Sequence, residues 1–108
     1  MTDYIELGGR KLRVEVNWNA YENILELAGK SSFDDLSELV RDVTPKGVKR
    51  LMAACINEGE RLEGHSDRFT PEDIGAMVSL DGREINAFLE IYTRQSTPAV
   101  ADGDSKKK

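Results

Sequence analysis

Between Tyr4 and Val16 apolar and polar residues alternate. Ile5 and Leu7 precede Gly8-Gly9, Leu12, Val14 and Val16 follow it, and Glu6, Arg13 and Glu15 take the other face. A period of two predicts strands, and adjacent glycines supply the positive φ that tight hairpin turns need. Residues 4–16 are therefore expected to form an antiparallel β-hairpin. Such a hairpin is marginal in water by itself and must lean on other elements.

From there the period lengthens to that of helices, so residues 19–95 are expected to be helical. Asn19 with Glu22 three residues on has the spacing of a capping box, Tyr21, Ile24, Leu25 and Ala28 share a face, and Gly29 is placed to end the helix. Ser32 predicts a second start, with Asp34 and Asp35 favourable at its positive end and Phe33, Leu36, Leu39, Val40 and Val43 as the inward stripe. Thr44-Pro45 opens a third helix, in which Val48, Leu51, Met52, Cys55 and Ile56 keep the i, i+3, i+4 spacing and Gly59 is the expected stop. The stretch from Glu58 to Arg68 is polar and reads as a loop. Thr70-Pro71-Glu72-Asp73 starts a short helix with Ile74, Ala76, Met77 and Val78, and Asp81-Gly82-Arg83-Glu84 starts the last, with Ile85, Phe88, Leu89 and Tyr92. The expected fold is α+β and mostly α: an N-terminal hairpin, then four or five short amphipathic helices. It forms one globular domain over residues 1–95.

Composition adds a tail to this picture. Residues 96–108, STPAVADGDSKKK after Gln95, carry no large apolar side chain except Val100 and are expected to be disordered. Charge narrows the partners. Residues 1–95 hold 12 Lys/Arg against 18 Asp/Glu, a net −6, so the body should repel a phosphate backbone and nucleic acid is not an expected partner. A single cysteine, Cys55, leaves no internal disulfide or multi-cysteine zinc site and fits a reducing cytoplasm. No apolar run approaches the ~20 residues a membrane span needs, and the start MTDYIELGG lacks the pattern of a cleaved export signal. A cytoplasmic protein without membrane partners is expected.

No residue set assembles into catalysis, so no catalytic, cofactor or metal residue is assigned. The acid pairs Asp34-Asp35 and Glu72-Asp73 sit in first helical turns, where helix electrostatics accounts for them. Asp102 and Asp104 lack the closing glutamate of a calcium loop. His65, the lone histidine, stands in a polar loop without a neighbouring cysteine or second histidine to share a metal, and Cys55 falls on an apolar stripe, where a buried thiol is the ordinary outcome. Gly47-Val48-Lys49 lacks the glycine ladder and preceding strand of a phosphate loop.

Three features point to partners instead. Lys46, Lys49 and Arg50 cluster near one helix start, a candidate partner contact whose plain alternative is a solvated face. Trp18 and Phe69 stand at element boundaries outside the stripes, where each either staples a helix to the core or marks a partner surface. Residues 70–95 have the spacing of a helix-turn-helix, although its second helix offers Arg83, Glu84, Asn86, Glu90 and Arg94, a mixed set with little attraction for phosphate. A small DNA-binding regulator is thus the alternative class, with a generic adaptor or inhibitor the third.

Taken over residues 4–95, the hairpin IELGGRKLRV, the glycine-closed helix AYENILELAG and the later RFTPEDIGAMV and EINAFLEIY resemble the tail assembly chaperones of tailed bacteriophages and gene transfer agents. That resemblance implies a non-enzymatic cytoplasmic factor, from a phage or prophage, that binds the tape measure protein, hands it to the tail tube protein and is absent from the finished virion. It also implies a longer form made by ribosomal frameshifting, for which codons of Lys106, Lys107 and Lys108 would be a candidate site. Short amphipathic helices able to offer an apolar groove fit such a role, and self-association would cover that groove, so a homo-oligomer is expected.

Overall fold

A computed structural model describes residues 2–96, so the expected tail lies outside the described residues except for Ser96. Its elements are β1 (Asp3–Leu7), β2 (Arg10–Val14), α1 (Trp18–Ala28), α2 (Phe33–Leu39), α3 (Pro45–Leu62), α4 (Pro71–Met77) and α5 (Arg83–Ser96). The α+β, mostly helical class and the N-terminal hairpin are as expected, with five helices.

The hairpin pairs Leu7 with Arg10 and Ile5 with Leu12, and Gly8 and Gly9 both take positive φ (59° and 79°), the conformation of a type I′ turn. Ile5, Leu7, Leu12 and Val14 form its buried face. That face lies on α3 and α5, with α3 along β2 and α5 reaching both strands; α3 also carries α1 and α4. Helix α3 is thus central, and Leu51 to Ile56 are all buried rather than confined to one stripe. The end of α5 is stitched to the base of the hairpin through Gln95, whose Oε1 accepts the Val16 N–H at 2.8 Å while its Nε2 donates to Asp3 and to the Val14 carbonyl.

Local cap chemistry behaves as the sequence predicts at Ser32, Thr44 and Thr70, each of which accepts a backbone N–H three residues on. Thr70 and Asp73 complete a reciprocal capping box. Gly29 closes α1 in the left-handed conformation.

Three expectations are corrected. The cap of α1 is Asn17, whose side chain accepts the Ala20 N–H at 2.9 Å; Asn19 lies within the helix and its amide donates to Glu58 instead. Gly59 does not stop α3, and the presumed loop from Glu58 begins inside a helix that runs to Leu62. The stop is Gly64 at φ 80°: its N–H reaches the Arg61 carbonyl and the His65 N–H reaches Glu60, a Schellman pair. Gly59 has another reason to be glycine, because a Cβ there would collide with the Arg13 carbonyl of β2. Finally, Phe33 and Val43 leave the expected stripe of α2, which ends at Leu39 and buries only Leu36; Phe33 is 77% and Val43 68% exposed.

Replacing Gly59 with alanine forces β2 away from α3 and should lower unfolding stability by about 2–4 kcal/mol. Urea unfolding measures it, and a loss below about 0.5 kcal/mol would show that the seam can widen freely.

Candidate functional site

Buried ionisable groups are the first place to look for chemistry, and α3 holds two of them. Glu58 and Glu60 are each 1% exposed. Glu58 takes Arg61 on both oxygens at 2.8 Å, and its Oε2 also accepts from Asn17 at 2.7 Å and from Asn19 at 3.3 Å. These donors, Arg61 foremost, pull its pKa down from 4.5 to about 2 against the cost of burial. A carboxylate so committed neither takes nor gives a proton near neutrality, so Glu58 fastens the start of α1 to α3. Glu60 similarly accepts from Arg10 at 3.1 Å and lies 2.9 Å from His65 Nδ1. His65 is therefore solvent-facing, as expected of a loop histidine, but its ring is anchored to that acid. Glu63 extends the series, accepting from Tyr4 and Arg13.

Cys55 is fully buried and its thiol is pushed upward by desolvation, with Glu15 and Glu58 adding repulsion, so it offers no thiolate. Among the described residues no group of three or more His, Cys, Asp or Glu side chains is placed to hold a metal ion. No described helix is long and apolar enough to cross a membrane.

The start of α3 carries no anion site. The Asp42 carboxylate occupies that end, accepting from the Thr44 N–H and hydroxyl at 3.1 and 2.7 Å and facing Arg50 at 3.6 Å. Those bonds, Thr44 first, hold its carboxyl below the usual carboxylate range. Gly47 is small because a Cβ would overlap Asp42. Lys49 lays its stem over Gly75 of α4 and only Lys46 stands exposed, so the three basic residues do not share one surface.

Residues 70–95 are also pulled apart. Helix α4 packs on α3 and α5 packs on the hairpin, rather than the pair closing on each other as a helix-turn-helix corner does. The two cations of this segment are both paired, Arg83 with Asp81 and Arg94 with Asp3, each at 2.8 Å. Glu84 ties the connecting turn by accepting the Ser79 N–H and hydroxyl. Phe69 is half-buried under the Arg10 guanidinium, 5.8 Å from its ring centre, and Asn57 bonds both its N–H and its carbonyl. It pins the segment after α3.

Trp18 behaves differently. It is the first residue of α1, 64% exposed, and meets Tyr21 and Phe33 edge-on at centroid distances of 5.1 and 6.1 Å and interplanar angles of 87° and 86°. With Leu25 and Leu36 these rings line a cleft of about 240 Å³ between α1 and α2. A contiguous exposed aromatic cluster is uncommon on a surface with no partner. Of the residues named from sequence as partner contacts, Trp18 alone lies here. The spacing of Phe33 to Leu36 fits an inward stripe; the signal against it is its position at the first helical turn, directly ahead of Asp34 and Asp35.

No protein-family model matches this chain, and the searches of curated proteins and of solved structures each gave no match.

The pKa of Glu58 carries a pH signature. The group is ionised in the fold down to about pH 2 but only to 4.5 in a model peptide, so its contribution is complete above pH 4.5 and is lost as pH falls towards 2. The contribution is at most about 3 kcal/mol, reduced by the solvent that screens half-exposed Arg61. Glu58→Gln should therefore flatten stability against pH over that window in denaturant titrations, and a slope equal to the parent's would remove Glu58 as the latch.

Proposed function

We propose that this protein is a binding factor for helical clients, specifically a phage or prophage tail assembly chaperone that holds the tape measure protein until the tail tube protein polymerises on it. The observation that carries the reading is the cleft that exposed Trp18 and Phe33 form with half-buried Tyr21, a surface suited to an amphipathic helix laid into an apolar groove. The family itself is suggested by the hairpin and helix pattern of residues 4–95. The reading makes the protein a non-enzymatic cytoplasmic helper, absent from the virion.

Self-association belongs to the proposal. The hairpin register turns the main-chain groups of Tyr4 and Glu6 outward from β1, where a strand from a second copy can pair. A DNA-binding regulator has less support, since Arg83 and Arg94 both spend their charge on acids of this chain.

The test is co-expression of the full chain with the tape measure protein. Trp18→Ala combined with Phe33→Ala should cut the client retained on an affinity column by about tenfold or more. Because both side chains are exposed, stability should stay within about 0.5 kcal/mol. Retention that is indifferent to both substitutions would end this assignment of the docking face.

A further inference from the structure

The cleft has an electrostatic character that an apolar groove alone would not need. Between Trp18 and Leu39 the chain holds five acids, Glu22, Glu26, Asp34, Asp35 and Glu38, against one cation, Lys30, so this stretch carries a net −4 of the −6 in residues 1–95. At the end of α3 the acids Glu58, Glu60 and Glu63 are each paired with an arginine. By contrast, Glu22, Glu26, Asp34 and Glu38 have no ion-pair partner among the described residues. Glu22 lies on the cleft wall itself, and Asp34 follows Phe33 directly. Unpaired negative charge at Glu22 and the exposed rings of Trp18 and Phe33 thus meet on the cleft, whereas Glu26 lines the neighbouring groove with Arg61 and Arg68.

Both features attract the same thing. A cation over an aromatic face is drawn by the ring quadrupole, and nearby carboxylates add to that attraction while steering the approach. At about 240 Å³ the cleft is smaller than the ~300–1,000 Å³ of small-molecule sites, so it fits a single side chain better than a free cofactor. We infer that the α1–α2 cleft takes a lysine or arginine side chain presented by a basic amphipathic helix of the client, its charge against Trp18, Tyr21 and Phe33 and its neighbouring basic residues against the acids of α1 and α2. This rests on the reading of that face as the docking surface, and adds to it the charge and geometry of what docks.

Trp18 is the chain's single tryptophan, so its emission reports the cleft directly. The probes are three synthetic amphipathic helices with one leucine stripe, flanked by arginine, by glutamine or by glutamate, titrated into the full chain. The arginine peptide should bind about tenfold more tightly than the glutamine peptide, and the glutamate peptide weakest. The arginine advantage should shrink as salt rises from about 0.1 M to about 1 M, where the screening length falls from ~10 to ~3 Å. Phe33→Leu keeps an apolar wall but removes a ring. It should weaken the arginine peptide several-fold and leave the glutamine peptide unchanged. Equal binding of the arginine and glutamine peptides would overturn the cation site while the docking face stands. If no peptide binds and the tape measure protein also leaves Trp18 emission unchanged, the docking face fails with it.

Discussion

The hairpin backbone meets the central helix at a point where no side chain fits between them, and the rest of the fold is arranged around that contact. Gly59 of α3 leaves room for the Arg13 carbonyl, and the Glu15 N–H reaches the Cys55 carbonyl at 3.2 Å a turn earlier. A two-stranded sheet has little stability of its own. Held this close, it buries Ile5, Leu7, Leu12 and Val14 against α3 and α5, and α5 is fixed to it by Gln95. A glycine inside a helix costs roughly 0.5–1 kcal/mol relative to alanine. Here that loss is offset by the side chains the contact lets the hairpin bury, each worth roughly 1.5–3 kcal/mol.

Around Gly59 the same helix changes character. Its last two turns and the residue capping them carry Glu58, Glu60 and Glu63, each reaching a different part of the chain: the start of α1, the hairpin turn side at Arg10, and the outer hairpin face at Tyr4 and Arg13. Buried carboxylates with several donors fix orientation more than they add stability. They set where α1 begins and how the hairpin lies. The position of Trp18, one residue after Asn17, follows from that fastening.

What the sequence made legible was whatever depends on neighbours along the chain. Ser32, Thr44 and Thr70 announce helix starts because a cap acts within four residues, and Gly8-Gly9 announces a turn for the same reason. Gly29 and Gly59 show the limit. Both follow a run of helical spacing, yet Gly29 ends its helix and Gly59 does not, since the demand on Gly59 comes from a strand some 45 residues away in sequence. Asn17 and Asn19 differ likewise: the capping spacing favours Asn19, whereas Asn17 takes the Ala20 N–H and Asn19, inside the helix, gives its amide to Glu58, a partner far away in sequence. Of the candidate site only Trp18 could be read beforehand. Phe33, which completes the cleft, had the spacing of a core residue, and spacing cannot tell a first-turn residue facing outward from one facing inward.

The cleft also sits on a lightly anchored part of the described residues. Helix α2 is seven residues long, buries Leu36 alone, and packs chiefly on α1, with the Tyr92 hydroxyl on the Val40 carbonyl as a further hold. A segment with so few buried contacts opens and shifts at low free-energy cost compared with α3. Movement of α2 would change the spacing of Phe33 from Trp18 while leaving the Gly59 contact and the Glu58 fastening, both on α3, in place. The division of labour is thus physical: α3 and the hairpin carry the paired charges and the core, and α1 with α2 carries the exposed rings and the unpaired acids.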